Sequence, residues 1–261
     1  MRNFFVQAYL SYRGLFLWLN WTAYISNVVL RPILMLLMFA LVGKFAADSD
    51  AAQAYMIGMI GYAIPVILLG GILQSFVYER VFGTISFIYS SPGSRVAVFF
   101  SRGVLHFPNS ILACALSFLF GWLVLSLDLS TLNWWTMIVS VLLTAAACTA
   151  FALFLGNFTM MLGEFFNLYN AAMGLFLAMT GVIIPIASLP WFFGDLANGI
   201  PLTHGLVALR GAFAGMDIGA VRDELLLEAL VGLGYAIAGI VVYMLVERDA
   251  RARSSLERSP A

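Results

Sequence analysis

AAQAYMIGMIGYAIPVILLGGILQSFVY, residues Ala51 to Tyr78, contains no charged side chain, and the two residues that follow it, Glu79 and Arg80, are both charged. A membrane-spanning helix needs about 20 predominantly apolar residues. This stretch exceeds that and ends on charge, so it reads as a span. The pattern recurs outward in both directions. From Gly14 to Gly43 the only charge is Arg31, while Gly103–Leu127, Leu129–Gly163, Phe165–Gly194 and Ala229–Val246 carry none. Six spans are expected, near Trp21–Val42, Ala54–Val77, Val96–Leu125, Trp135–Phe158, Phe165–Pro185 and Leu225–Val246. The expected fold class is all-α, a polytopic membrane protein.

Composition agrees. Of 261 residues, 62% are hydrophobic and 10% charged, with a mean hydropathy of +0.98. Soluble domains are nearer half apolar and a quarter charged. Thirteen Lys/Arg balance thirteen Asp/Glu, which leaves no net field for a nucleic acid. Cys114 and Cys148 both lie in apolar runs and read as small packing residues rather than a disulfide or metal pair. The first residues lack the apolar core and cleavage site of a secretory leader.

Basic residues orient the spans. With the N-terminus cytoplasmic, nine arginines fall inside (Arg2, Arg13, Arg80, Arg95, Arg102, Arg248, Arg251, Arg253, Arg258) and three cations outside (Lys44, Arg210, Arg222). Both termini are then cytoplasmic. Trp18 and Trp21 flank the first span and Trp122, Trp134 and Trp135 gather at an outer boundary, as aromatic belts do.

Two pieces do not read as spans. Over residues 1–19, Phe4, Phe5, Ala8, Tyr9, Tyr12, Leu15, Phe16 and Leu19 recur at helical spacing opposite a polar face, which predicts an amphipathic helix in the membrane interface. Between Pro185 and Arg210, three prolines interrupt an apolar segment that contains Trp191, Phe192 and Phe193. No continuous helix tolerates them. A broken, re-entrant outer hairpin over 186–215 is expected instead. The Arg-rich tail, 247–261, reads as a short solvated cytoplasmic segment.

The loop after the second span, Glu79-Arg80-Val81-Phe82-Gly83-Thr84-Ile85-Ser86-Phe87-Ile88-Tyr89-Ser90-Ser91-Pro92, is more elaborate than a connector requires. A charged start, a helix-length amphipathic stretch and a Ser-Pro stop predict a short surface helix with a docking partner. Glu-Arg-x-x-Gly-Thr followed by Ser-Pro resembles the coupling-helix signature of ABC type-2 permeases. Leu189-Pro190-Trp191, then Pro201-Leu202-Thr203-His204-Gly205 and Ala208-Leu209-Arg210-Gly211, resemble the outer segment of the same family. The interfacial first helix, six spans and two cytoplasmic termini also fit, so the resemblance extends over the whole chain as one transmembrane domain, 1–261.

The resemblance implies one membrane half of an ATP-driven exporter in the inner or plasma membrane of a bacterium. Two such halves pair, as homodimer or heterodimer, and each meets a separate ABC ATPase subunit, two copies per complex. Glu79, Arg80, Phe82, Gly83, Thr84, Ser91 and Pro92 would carry the ATPase contact. Pro190, Trp191, Pro201 and Arg210 would shape the outer segment. ATP and magnesium would sit on the partner, with no cofactor bound by this chain. The only lysine, Lys44, has neither the glycine spacing nor the Ser/Thr of a phosphate-binding loop.

Arg31, next to Pro32, falls near the middle of the first span, where a charge is by default a functional hypothesis. The alternatives are a later helix start or an internal pair with Glu164 or Glu228. Glu164 reads as a helix-start charge and Glu228 as facing the outer water. Asn167, Tyr169, Asn170 and Thr180 on the fifth span could line a path with Arg31, or hydrogen-bond between helices. Gly58, Gly61, Gly174 and Gly181 read as close-packing positions. An intramembrane enzyme is the rival of another class. The sequence lacks Gly-x-Ser-x-Gly, His-Glu-x-x-His and any aspartate within a span, and His106 reads as a packed polar residue. The spans also lack the buried carboxylates of a channel or secondary transporter. The expected cargo is an amphipathic small molecule, a drug, antibiotic or natural product. The alternative is a lipid or lipid-linked polysaccharide.

Overall fold

The computed structural model describes residues 21–46, 49–81, 95–104, 106–162 and 165–257. All regular elements among them are helical. Helix α1 (Trp21–Ile25) runs through a π-helical turn (Ser26–Leu30) into α2 (Arg31–Ala46). Then come α3 (Ser49–Val81), α4 (Arg95–Val104), α5 (His106–Leu125), α6 (Trp134–Leu162) and α7 (Phe165–Met179). A 3₁₀ turn (Ile186–Ser188), α8 (Trp191–Asn198), α9 (Thr203–Phe213) and the long α10 (Arg222–Glu257) complete the order.

Five helical stretches are long and apolar enough to cross a membrane: Trp21–Phe45, Ala52–Tyr78, Phe99–Leu125, Trp134–Thr159 and Arg222–Val246. The expected fifth span, Phe165–Pro185, is instead the 15-residue α7, which stops at Met179. At 1.5 Å per residue it covers about 22 Å, short of the ~30 Å hydrocarbon thickness. Its end is set by Gly181, whose φ of +81° turns the chain where a β-carbon would be strained. Other boundaries shift by a few residues. The tail differs more, since α10 continues without a break to Glu257. Residues 1–19 lie outside the described residues, as does the expected coupling segment beyond Val81.

The centre of the bundle is α3, which packs against α2, α5, α6 and α7. From Met56 to Phe76 it is buried at every position except Gly70, Gly71 and Gln74. In water such a helix, apolar all round, would be the core of a large protein; here neighbours cover it on each side. Pro65 sits inside α3, as membrane helices tolerate. On the far side, α10 packs along α6. Their outward faces carry exposed Leu142, Leu230, Leu233, Ile237 and Val241, the surface that lipid would cover. Cys114 and Cys148 are both buried free thiols, in agreement with packing.

The outer segment is broken as its prolines require, and tightly held. In α9 nine residues, among them Thr203, His204, Gly205 and Phe213, are buried. Glu228 of α10 anchors its start. Its carboxyl oxygens accept the backbone N–H of Leu202 (2.9 Å) and of Gly205 (3.0 Å), and its own exposure is 0%. The expectation that Glu228 faces outer water is therefore corrected, and with it the expectation that the spans lack a buried carboxylate, although this one caps a helix. The first N–H groups of a helix have no intrahelical acceptor, and Leu202, which precedes α9 at φ +82°, has no polar side chain to cap them. A distant carboxyl does it. His204 Nδ1 lies 2.7 Å from Glu224 Oε2 and its Nε2 3.2 Å from the Asn198 carbonyl, while the Tyr235 hydroxyl donates to the Gly199 carbonyl at 3.0 Å. Arg210 donates through Nη2 to the Gly181 carbonyl at 2.8 Å and ties α9 to the turn after α7.

Glycine roles divide. A β-carbon on Gly58 would strike the Val182 carbonyl, so that position does permit close packing. Gly61 meets only ordinary contacts, and around Gly174 there is nothing within 4 Å. The close-packing reading fails at Gly174, and Gly181 is needed for its backbone angle.

Candidate functional site

Gly70, Gly71 and Gln74, the interruptions in the buried run of α3, line a cavity of about 360 Å³. Four parts of the fold converge on it. The α1–π turn brings Tyr24, Asn27 and Arg31; α5 brings His106 and Asn109; α7 brings Phe165, Phe166, Tyr169 and Asn170. All come from the same end of the bundle: the start of α1, the second half of α3, and the starts of α5 and α7. That is the end on which α3 runs out through Glu79 and Arg80 to Val81.

Local sequence explains the arrangement. Pro32 has no N–H to give, and its ring would crowd the carbonyl of Val28, four residues back. The widened turn relieves this: the N–H of Arg31 bonds to the Ser26 carbonyl, five residues earlier. π-turns are rare and often occur at functional positions. This one sets the register of Tyr24, Asn27 and Arg31 on one wall. On the opposite side Gly71 carries no side chain, and a β-carbon there would overlap the His106 ring. His106 is buried against it, as the packed-residue reading expected, but it also lines the cavity.

The guanidinium of Arg31 lies over the Tyr169 ring, 5.4 Å from its centroid, and Tyr169 stacks on Phe165 at 5.5 Å and 19°. Ten residues after Trp21, Arg31 is about 15 Å along the helix, near mid-membrane. A central arginine costs about 2.5–3.5 kcal/mol on insertion scales. A cation–π contact returns about 0.5–2 kcal/mol, so the ring offsets only part of the cost. The pair with Glu228 does not form, because that carboxyl is committed to α9. Glu164 lies outside the described residues. None of the described cavity-lining residues is acidic.

Polar groups around the wall are partly tied to the bundle. The Tyr24 hydroxyl donates to Asn109 Oδ1 at 3.0 Å, Gln74 Nε2 donates to the Tyr78 hydroxyl at 3.0 Å, and Asn27 Nδ2 donates to the Ala23 carbonyl at 2.9 Å. Arg31, Asn27 and Asn170 are exposed, so the cavity opens sideways between α1–α2 and α7.

Of the residues predicted for a path, the fold brings Arg31, Tyr169 and Asn170 together. Asn167 does not line the cavity. Thr180 is buried elsewhere, and its hydroxyl donates to the Phe176 carbonyl one turn back at 2.6 Å. It is a helix-end residue and does not line this cavity. Sequence reasoning missed Tyr24, Asn27, Gln74 and Asn109. Gln74 and Asn109 are the only Asn or Gln of their expected spans, and Tyr24, Asn27 and Arg31 fall at helical spacing, so a search for lone amides in apolar runs would have found them.

Glu79 and Arg80 belong to the last turn of α3; Phe82, Gly83, Thr84, Ser91 and Pro92 lie outside the described residues. In the outer segment, Pro190 stands immediately before α8, Trp191 is 83% exposed and Pro201 is buried. Arg102, counted among the cytoplasmic arginines, is buried with its guanidinium 4.2 Å from the Phe76 ring centroid.

A model of the ABC-2 type transporter family matches residues 6–214, well over half of the chain. The chain belongs to that family. It is therefore the membrane-spanning permease part of an ABC transporter, a class that works with an ABC ATPase. No curated protein matches the sequence at a significant level. For an ABC-2 permease, the chemistry to look for is passage of a molecule.

Proposed function

We propose that this ABC-2 permease is one half of an exporter that moves an amphipathic small molecule through the cavity around Arg31, driven by ATP hydrolysed on a separate subunit. The observation that carries this reading is the cavity itself. It has a polar lining at membrane depth and an apolar aromatic wall, and it is of the size, about 300–1,000 Å³, that small-molecule sites occupy.

The open side of the cavity supports a paired assembly. Exposed Arg31, Asn27 and Asn170 cannot face hydrocarbon without cost. A second permease half, identical or related, would cover them and close the path between the two subunits. The motor would dock two ATPase copies, with ATP and magnesium bound there, against the Glu79–Pro92 segments. Gly83 would allow close backbone approach, and Ser91-Pro92 would end the coupling helix. With the orientation given by the arginines, the cavity lies in the cytoplasmic half of the bundle. It would load from the side on which the motor binds, as export requires.

The test is reconstitution with the cognate ATPase in liposomes, with pull-down, ATP turnover and flux measured together. The double variant Glu79→Ala/Gly83→Trp should keep its membrane insertion but lose ATPase association, or hydrolyse without transport. Full association with normal flux in that variant would overturn the coupling assignment.

A further inference from the structure

Resting on the reading of the cavity as the path, we propose that it selects an amphipathic anion, a molecule with one carboxylate or phosphate on an aromatic or aliphatic body. Three observations converge on that class. Among the described residues that line the cavity, Arg31 is the one fixed cation and none is acidic. The described partner of that cation is Tyr169, through its ring face and its hydroxyl, and this side chain carries no net negative charge. Arg31 is also exposed at the open side, where an incoming group can reach its N–H fork. That fork matches the two oxygens of a carboxylate or phosphate.

The rest of the wall fits the body of such a molecule. Phe165, half-buried and stacked on Tyr169 at 5.5 Å, gives the cavity an apolar aromatic wall near the cation. Asn170 stands next to them at the mouth and can accept or donate. Charge also works against alternatives. A cationic amphipath would meet a like charge in a low-dielectric site, so the same arginine that favours anions rejects cations. Histidine does not compete as a second anchor, because His106 is buried against the backbone of Gly71.

The shared chemistry has two sources, a free organic anion and an anionic lipid headgroup, and the test separates them. The purified permease–ATPase complex is placed in nanodiscs of phosphatidylcholine and titrated with dansyl-undecanoate and with its neutral methyl ester, empty discs being subtracted. The acid should bind about tenfold more tightly than the ester, as one charge-assisted contact provides. Arg31→Gln should abolish that preference and Arg31→Lys should retain most of it. Displacement by lysophosphatidate but not by lysophosphatidylcholine identifies the headgroup as the natural source; no displacement by either identifies a free anion. Equal binding of acid and ester to the wild type, or no binding of any anionic probe, overturns the proposal without any variant having to fold. A preference that survives Arg31→Gln also overturns it. Flux separates this from the underlying reading: charge-selective binding without ATP-driven flux defeats the path, and ATP-driven flux indifferent to charge defeats only the anion class.

Discussion

Removing the carboxyl of Glu228 should release the outer segment, and the structure sets the size of the effect. Its two oxygens hold the N–H groups of Leu202 and Gly205 at 2.9 and 3.0 Å, in a site with no solvent exposure. A buried donor left without a partner costs about 1–3 kcal/mol. Glu228→Ala strands both donors, so the loss should be about 2–6 kcal/mol. Glu228→Gln keeps one acceptor oxygen and turns an amide N–H₂ toward the other donor, so about half of that should be lost. The release should be local as well as global, because Leu202 is held at a φ of +82° that a leucine does not adopt without support. Two assays read this. Denaturant unfolding in detergent gives the global loss, and hydrogen exchange over residues 200–206 gives the local one. Each ~1.4 kcal/mol lost from the opening free energy speeds exchange tenfold. An alanine variant within about 0.5 kcal/mol of wild type, with exchange unchanged at Leu202 and Gly205, would refute the anchoring role.

Gly58→Ala should lower stability by about 1–3 kcal/mol in the same unfolding assay, because its β-carbon meets the Val182 carbonyl, which is backbone and cannot step aside. Gly174→Ala, with nothing within 4 Å, should be neutral or gain up to about 1 kcal/mol from helix propensity. Thr180→Ala should leave flux within about twofold, since its hydroxyl bonds only to its own helix, whereas Asn170→Leu at the cavity mouth should lower flux; equal flux loss in both variants would contradict the cavity boundary. In a background without Cys114 and Cys148, cysteine at Asn198 should react with an impermeant maleimide added outside and cysteine at Ser255 should not, with reversed labelling overturning the orientation.

Five of the six expected spans were legible because membrane physics is coarse, the exception being the charge-free run that became the short α7. A helix in hydrocarbon must be long and apolar, and the charge-free runs say where. The broken outer segment was legible for the opposite reason, since three prolines as close together as Pro185, Pro190 and Pro201 leave no room for a continuous helix. Partnering was not legible. Glu228 looks from sequence like a charge near the water at the start of a span, and it becomes a buried cap only because Leu202 and Gly205, over twenty residues earlier, lack acceptors of their own. Thr180 and Asn170 look alike as polar residues on one apolar segment. Helix α7 ends between them at Met179, which sends one to a helix terminus and the other to the cavity. The missing side chain of Gly71 leaves the space into which His106 fits, a match that only the fold reveals.

The same logic explains why the central helix matters more than its bland sequence suggests. Helix α3 is one unbroken element of 33 residues. Near one end Gly58 lies against the Val182 carbonyl, in the turn that Arg210 ties to α9. Further along, Gly70, Gly71 and Gln74 form a wall of the cavity, and the helix then runs out through Glu79 and Arg80. A close-packed helix moves as a unit, because its neighbours cannot absorb displacement in voids. Force applied at the Glu79–Arg80 end would therefore reach the cavity wall within about two turns, roughly 10 Å. It would reach the outer turn only through the buried contacts between Met56 and Phe76. Gly58→Ala thus tests more than packing. If α3 is the connecting element, the variant should uncouple ATP turnover from flux while the cavity still binds its probe with wild-type affinity. Loss of binding and flux in proportion would instead mean that the contact only stabilises the fold.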